Sequence, residues 1–235
     1  MNVVITGASR GIGYELAKIF VTAERNHVVA VARSERKLKK LTEESSGTIA
    51  NTSSLDILGF DLVNDDYQKV FIPFITEKLG TVDILINNAG FLVAKDFDQL
   101  TDEDFDRMFN TNVKSVFKLT QALLPFFSGQ AHIVNISSMG GVQGSAKFKG
   151  LSLYSASKGA LNILTECLAE ELKEKNISVN ALALGAVQTE MLSEAFPGYR
   201  APLQPDEMAK FIMDFAVDGN RFFNGKILPA SLSTP

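Results

Sequence analysis

Short, continuously apolar runs alternate along this chain with longer stretches in which apolar residues recur every three or four positions. Continuous apolarity is typical of strands covered on both faces, as in a parallel sheet, whereas the longer period indicates amphipathic helices. The predicted strands are Val3–Ile5, His27–Ala32, Leu55–Phe60, Val82–Ile86, His132–Ile136 and Ile177–Leu184. The predicted helices cover about 11–24, 34–43, 64–79, 101–127, 154–175 and a stretch from about Asp206.

This alternation predicts an α/β fold, a single-domain Rossmann-type doubly wound parallel sheet flanked by helices. The helix after Thr101 is marked most clearly, because three acidic residues crowd its first turn. Its apolar residues, which recur in helical steps, are Phe105, Met108, Phe109, Val113, Val116 and Phe117. Loops are expected at 44–54 and 140–152, and no linker divides the chain, so residues 1–235 are expected to form one domain.

The composition narrows the functional classes. With 46% hydrophobic residues and a net charge of -4, the chain is too apolar and too weakly charged to be mainly disordered. It has no basic excess, so neither nucleic acid nor an anionic membrane is expected as a partner. The single cysteine, Cys167, excludes an internal disulfide framework and a cysteine-rich zinc site, and no metal is expected. An N-terminus without a signal-peptide pattern and the lack of a long apolar stretch lead us to expect a cytoplasmic protein.

A glycine-rich turn, Thr6-Gly7-Ala8-Ser9-Arg10-Gly11-Ile12-Gly13, joins the first strand to the first helix. Such glycines allow the backbone to approach a pyrophosphate, which the free amides of the helix N-terminus then bind. Residues 7–11 also match the nucleophile elbow of α/β-hydrolases, Gly-x-Ser-x-Gly. We disfavour a hydrolase, because only His27 and His132 are available as a base and both are predicted to begin strands.

Further motifs resemble those of the short-chain dehydrogenase/reductase family. The glycine turn is similar to its T-G-x-x-x-G-I-G motif, Asn87-Asn88-Ala89-Gly90 to its N-N-A-G motif, and Tyr154-Ser155-Ala156-Ser157-Lys158 to its Y-x-x-x-K signature. Later segments, Val179-Asn180-Ala181 and Gly185-Ala186-Val187-Gln188-Thr189, extend the match to about residue 191. This chain departs from the family in having Leu184 in place of a proline, a longer loop from Ser138 to Tyr154, and no terminal glycine pair.

The resemblance implies an oxidoreductase that reduces a carbonyl substrate to an alcohol by hydride transfer from NADPH. Tyr154 is expected to donate the proton, and Lys158, one helical turn away, to lower the pKa of that tyrosine and bind the nicotinamide ribose. Ser138, favoured over Ser137, is expected to hydrogen-bond the substrate carbonyl, and Asn112 to hold a water in the proton path. The alternative is a nucleotide-binding redox sensor or scaffold, which would be expected to lose Tyr154 or Lys158.

The expected cofactor is NADP(H). An NAD site commonly has an acid at the end of the second strand, but here Ala32 is followed by Arg33. Arg10, in the glycine turn, adds a second guanidinium suited to a 2′-phosphate. The remaining cofactor-binding residues implied by the resemblance, besides Tyr154 and Lys158, are Gly7, Ser9, Gly11, Ile12, Gly13, Asp61, Leu62, Asn88, Ala89, Gly90, Val187 and Thr189.

Assembly and substrate are less defined by the sequence. The resemblance implies a homodimer through helices 101–127 and 154–175, with a tetramer left open. The substrate is expected to be a small carbonyl or alcohol compound shaped by residues 91–97, 140–153 and the segment after Thr189. A ketoacyl thioester, a diketone, a sugar and a steroid all stay open. Lys147 and Lys149 hint at an acidic substrate or carrier protein, although a solvated loop is the favoured interpretation.

Overall fold

A computed structural model describes residues 1–232, and residues 233–235 of the predicted domain 1–235 lie outside the described residues. The described chain is built around one parallel sheet of seven strands, with helices on both faces. Strands β1 to β7 are Asn2–Thr6, His27–Ala32, Ser54–Gly59, Val82–Asn87, Phe127–Ser138, Ser178–Leu184 and Ile227–Ala230. Helices α1 to α8 are Gly11–Thr22, Glu35–Ser45, Ile72–Lys78, Asp102–Phe109, Ser115–Leu123, Ser152–Glu171, Glu190–Ala195 and Pro205–Asp218.

The strand order is β3-β2-β1-β4-β5-β6-β7, and all neighbouring strands run parallel. Strands β1 and β4 are therefore neighbours although they are not consecutive in the chain, and the order reverses between them. Ligands of doubly wound folds bind at such a switch point, beyond the carboxyl ends of the strands. The predicted doubly wound parallel sheet is confirmed.

Both faces of the sheet are covered, which explains the continuously apolar strands. In β1, Val3 and Ile5 pack with α1, α2 and α8, whereas Val4 faces α3, α5 and α6 on the opposite side. Alternate side chains of one strand thus enter two separate cores. Among the described residues, no helix is both long and apolar enough to span a bilayer.

The predicted helix 101–127 is interrupted. Between α4 and α5 the chain makes a π-helical turn at Asn110–Lys114, and a 3₁₀ turn containing Pro125 follows α5. Strand β5 already begins at Phe127, so the predicted helix end at 127 and the predicted strand start at His132 were wrong. The proline ends the helix at this point because it cannot donate a backbone hydrogen bond.

The π turn also changes which side chains face the core. Met108 and Val116 are buried as the helical pattern predicts, but Phe105 and Phe117 of the same predicted stripe are 45% and 46% exposed. A π turn holds an extra residue, so the helix after it is rotated relative to the helix before it. Asn112 lies within this turn and is fully buried.

Short elements escaped prediction at other places. Helix α7 has only six residues, and its start is capped by the Thr189 hydroxyl, which accepts a hydrogen bond from the Leu192 amide at 3.2 Å. The predicted helix 64–79 begins later, with a π-helical turn at Tyr67–Phe71 that Asp66 caps. Elements of one or two turns carry too few periodic positions to be recognised from hydrophobicity.

A substitution at Gly13 tests the close contact between α1 and the chain at the end of β4. In an exposed helix, alanine in place of glycine normally stabilises the helix by about 1 kcal/mol. At Gly13, however, a Cβ would lie 2.6 Å from the Gly7 carbonyl oxygen and would also overlap the Asn88 side-chain amide. We expect Gly13→Ala to lower the free energy of unfolding by at least ~2 kcal/mol in urea titrations.

The matched control is Gly47→Ala, where no atom lies within 4 Å of the added carbon. Its free energy of unfolding should stay within about 0.5 kcal/mol of the parent. A Gly13→Ala protein as stable as the control would show that α1 does not depend on this close approach.

Candidate active site

A cavity of about 930 Å³ opens at the carboxyl edge of the sheet, beside the switch point between β1 and β4. Ligand sites commonly occupy about 300–1,000 Å³, so this volume suits a dinucleotide together with a small substrate. Of the predicted site residues, Gly13 and Asn112 do not line the cavity. Those that do are Gly7, Ser9, Arg10, Gly11, Ile12, Arg33, Asp61, Leu62, Asn88, Ala89, Gly90, Ser138, Tyr154, Lys158, Val187 and Thr189.

The glycine turn presents free backbone amides to one end of the cavity. Helix α1 begins at Gly11 with no side-chain cap and no acidic residue in its first turn. The φ angle of Gly7 is 70°, and a Cβ there would lie 2.8 Å from the Cα of Ala89. Unpaired amides at a helix start attract anions, so this end of the cavity fits a pyrophosphate.

Thr6 and Asn88 hold the turn in place. The Thr6 hydroxyl accepts hydrogen bonds from the backbone amides of Asn88 and Ala89, at 3.1 and 3.0 Å, and donates to the Ile86 carbonyl at 3.3 Å. The Asn88 side-chain amide donates to the carbonyl oxygens of Thr6 and Gly7, at 2.9 and 3.4 Å. Asn88 thus lines the cavity as predicted, but its amide group is occupied in joining β4 to the turn.

Tyr154 and Ser138 meet at the other end of the cavity. Ser138 is the last residue of β5, as predicted, and Tyr154 lies in the first turn of α6. The Ser138 side chain lies close enough to Tyr154 to lower the pKa of its phenol. The neighbouring Ser137 is 3% exposed, and its hydroxyl donates to the Lys158 carbonyl at 3.4 Å instead. Of the two serines, only Ser138 influences the pKa of Tyr154.

Lys158 lies on the same face of α6 as Tyr154 and is almost completely buried. It is 4% exposed, its Nζ donates to the Ile136 carbonyl at 2.8 Å, and it lies 5.8 Å from the centre of the Tyr154 ring. Burial lowers the pKa of Lys158 to about 8. The desolvated Lys158 amine is therefore a weaker base than the amine of an exposed lysine.

The pKa of Tyr154 differs from the prediction. We expected Lys158 to lower it, but burial raises the pKa of Tyr154 to about 12, and the neighbouring Ser138 hydroxyl opposes this only in part. The phenol is thus protonated at neutral pH in the cofactor-free protein. A protonated tyrosine is the form that donates a proton, whereas a phenolate would accept one.

Asn112 lies in the π turn, close to the start of α6 where Tyr154 lies. Its carboxamide oxygen accepts the Phe91 amide at 2.8 Å, and its amide group donates to the Phe91 carbonyl and to the Ser157 hydroxyl, both at 2.9 Å. Ser157 in turn donates to the Tyr154 carbonyl at 2.8 Å. Asn112 therefore couples the loop after β4 to the start of α6. Sequence reasoning missed Ser157, because nothing in the Y-x-x-x-K pattern singles it out.

Charged side chains surround the end of the cavity that lies beyond β2, away from Tyr154. Arg33 is exposed there, beside Asp61. Burial acts to raise the pKa of Asp61, but hydrogen bonds from Val63 and Asn64 and the charge of Arg33 hold it below its usual value. Arg10 is bound by Glu190 and Glu194, and Lys37, which the sequence analysis did not single out, also lines the cavity.

The histidines lie away from the cavity. His132 is in the middle of β5, at the level of Ser178 at the start of β6, and burial lowers its pKa to about 4. His27 begins β2 as predicted. Neither histidine lines the cavity that contains Ser9. The hydrolase interpretation thus lacks a base near its serine.

The remaining wall of the cavity is mostly apolar. Lys147 donates to backbone carbonyls of its own loop, and Lys149 pairs with Asp96 at 3.0 Å. Both lysines are exposed and neither lines the cavity, in accord with the solvated-loop interpretation. The apolar side chains on this side are Phe91, Leu92, Met139, Phe148, Leu151, Leu184, Met191, Leu192, Phe196 and Tyr199.

Comparisons with known proteins agree with this geometry. The sequence model of the short chain dehydrogenase family matches residues 1–200. The chain is 32% identical to the 3-oxoacyl-(acyl-carrier-protein) reductase FabG of Thermotoga maritima, over 96% of this chain and 94% of that protein.

Two solved structures show the same fold. One is a short chain dehydrogenase from Burkholderia cenocepacia in complex with NADP, with a TM-score of 0.85 and 26% identity over 97% of this chain and 95% of that one. The other is a 3-ketoacyl-(acyl-carrier-protein) reductase from Brucella melitensis complexed with NADH, with a TM-score of 0.83 and 27% identity over 98% of this chain and 96% of that one. The two structures contain different nicotinamide cofactors, so the likeness by itself favours neither NADP(H) nor NAD(H) for this chain.

The lowered pKa of Lys158 can be measured directly. In the cofactor-free protein, the side-chain NMR signal that Lys158→Met removes should titrate with a midpoint near pH 8. The unfolded chain keeps an ordinary lysine with a pKa of about 10.4, so unfolding takes up a proton between these two values and the free energy of unfolding rises with pH there. A midpoint above pH 10 would show that Lys158 is not desolvated as described.

Proposed function

This chain belongs to the short-chain dehydrogenase/reductase family, and from that membership we propose that it reduces a carbonyl compound to an alcohol with NADPH. The observation that carries the proposal is the convergence of Ser138, Tyr154 and Lys158 at one end of a cavity whose other end presents the free amides of α1. A nicotinamide cofactor bound along this cavity would supply the hydride.

Each side chain has a distinct task in the proposed reaction. The Ser138 hydroxyl donates a hydrogen bond to the substrate carbonyl, so that oxygen can accept charge as the carbon is reduced. Tyr154, protonated at neutral pH, gives its proton to that oxygen. Lys158 binds the nicotinamide ribose hydroxyls and favours the phenolate left behind, and Asn112 acts through the Phe91 backbone as a positioning residue for a water in the proton path.

For the cofactor, the charges around β2 support NADP(H). Arg33 forms no ion pair with a carboxylate among residues 1–232, and no acid follows β2 directly. A guanidinium at this place suits the 2′-phosphate that distinguishes NADPH from NADH. A smaller dissociation constant for NADH than for NADPH in the unmodified protein would refute this preference.

The competing proposal is a cofactor-binding sensor or scaffold without turnover. The grouping of Ser138, Tyr154 and Lys158 around one cavity argues against it, because a binding protein has no need of a proton donor beside a second hydroxyl and a buried lysine. A 3-oxoacyl thioester belongs in any substrate panel, since the Thermotoga maritima relative is named for such a substrate.

For the assembly, we propose one domain over residues 1–235, acting in the cytoplasm as a homodimer. Apolar side chains of α4, α5 and α6 support the dimer, because Phe105, Phe117 and Ile163 are 45%, 46% and 61% exposed. Leu161 and Leu172, which lie in the predicted interface helix 154–175, are buried within the protomer instead. Exposed apolar patches on helices commonly mark contacts with another chain.

The role of Tyr154 is tested by Tyr154→Phe, which keeps the ring and removes the transferable proton. Turnover of a ketone should fall by at least ~10²-fold, the scale of losing a general acid, while the dissociation constant for NADPH stays within about twofold. The control is Tyr199→Phe, which removes a hydroxyl from the apolar wall of the same cavity. Near-normal turnover of Tyr154→Phe would exclude this tyrosine as the proton donor.

A further inference from the structure

Two carboxylates bind Arg10 at the charged end of the cavity, and one of them, Glu190, lines the cavity itself. The Arg10 Nη1 atom lies 2.9 Å from Glu190 Oε2 and 2.8 Å from Glu194 Oε1. The same Glu190 oxygen lies 3.8 Å from the Lys37 Nζ atom. Both glutamates belong to α7, whereas Arg10 precedes α1 and Lys37 lies in α2. One carboxylate thus lies between two cations that come from different parts of the chain.

These cations surround the place where a 2′-phosphate would bind. The glycine turn is joined to β2 by the Ala8 amide, which donates to the Val31 carbonyl at 3.2 Å. The Ser34 hydroxyl caps α2 by accepting from the Lys37 amide at 3.4 Å. Arg10, Arg33 and Lys37 all line the cavity, and Arg10 and Lys37 contact the same Glu190 oxygen. A phosphate dianion would be bound by the same groups that now hold Glu190.

On the premise of the proposed NADP(H) site, we propose that Glu190, assisted by Glu194, is an internal competitor of the cofactor's 2′-phosphate. To bind NADPH through Arg10 and Lys37, the protein must first give up the contacts of these cations with α7. NADH has no phosphate at this position and leaves them intact. The glutamates therefore reduce the preference for NADPH that three cations alone would produce.

The electrostatics agree with this competition. The hydrogen bonds that Arg10 donates to Glu194 and Glu190 raise the pKa of Arg10 and hold the pKa of Glu190 below its usual value. The side chains of Arg10, Glu190 and Glu194 are 36%, 57% and 66% exposed, so water screens the pairs and each contact has a modest effect. We therefore expect a change of roughly three- to thirtyfold in affinity from the whole cluster.

The test compares dissociation constants of the full-length protein and its Glu190→Gln/Glu194→Gln variant for four ligands. NADPH and adenosine 2′,5′-bisphosphate carry the 2′-phosphate, whereas NADH and adenosine 5′-monophosphate do not. Calorimetry at low salt should show the two phosphorylated ligands binding roughly three- to thirtyfold more tightly to the variant, with the other two within about twofold. The two adenosine nucleotides report on the phosphate site without any turnover.

A matched control removes two charges without touching Arg10 or Lys37. In Glu35→Gln/Glu44→Gln, both substituted carboxylates lie on α2 and pair with other side chains, namely Lys39 and Lys40. This control should change the affinity for the phosphorylated ligands less than the α7 variant does. If the control bound the phosphorylated ligands as tightly as the α7 variant does, the gain in affinity would be a general effect of net charge and not of specific competition.

Arg10→Ala completes the cycle. In that background the α7 substitutions should lose most of their effect on NADPH, because the cation for which the two anions compete is gone. Unchanged or weakened NADPH binding by the α7 variant of the otherwise normal protein would overturn the competition while leaving the proposed function intact. A normal protein that binds neither NADPH nor NADH would overturn the proposed function as well.

Discussion

The hydrogen bonds between Thr6 and Asn88 are the constraint on which the rest of the site depends. They join the carboxyl ends of β1 and β4, the two central strands between which the chain reverses its winding. The contact brings the backbones so close that Gly7 and Gly13 leave no room for a Cβ. The amides of α1 then stay free for an anion, and the chain after Asn88 is directed towards Lys158: a Cβ on Gly90 would lie 3.7 Å from the Lys158 Nζ atom.

A second set of buried polar groups fixes the reacting end. The Phe91 backbone is bonded on both sides by Asn112, and Ser157 links Asn112 to α6. The Lys158 ammonium has only the Ile136 carbonyl as a hydrogen-bond partner among the described residues. Leaving a buried ammonium with so few partners is costly, and proteins accept such a cost mainly at functional sites. The cofactor-free protein thus holds a weakly basic lysine beside a protonated tyrosine, a state suited to giving up a proton in a reduction.

Much of this fold follows from local sequence patterns. The six strands predicted from apolar runs all exist, because a parallel sheet covered on both faces requires uninterrupted apolar residues. The break in the helix after Thr101 was not predicted, since the π turn at Asn110–Lys114 depends on tertiary contacts of Asn112 rather than on periodicity. The same limit applies to the site. The motifs single out Ser138, Tyr154 and the glycine turn, which the folded chain places around one cavity. The burial that raises the pKa of Tyr154 and the contacts of the α7 carboxylates with Arg10 arise only from the folded chain.

We propose that this chain transfers a hydride to a carbonyl carbon. The most direct measurement is deuterium tracing with NADPH labelled at the transferable position of the nicotinamide, across a panel that includes a 3-oxoacyl thioester, a diketone, a sugar and a steroid ketone. The account predicts an alcohol carrying one deuterium on the former carbonyl carbon, formed in equal amount to the cofactor oxidised. Tight binding of NADPH without alcohol or cofactor oxidation across the whole panel would contradict it and indicate a cofactor-binding sensor.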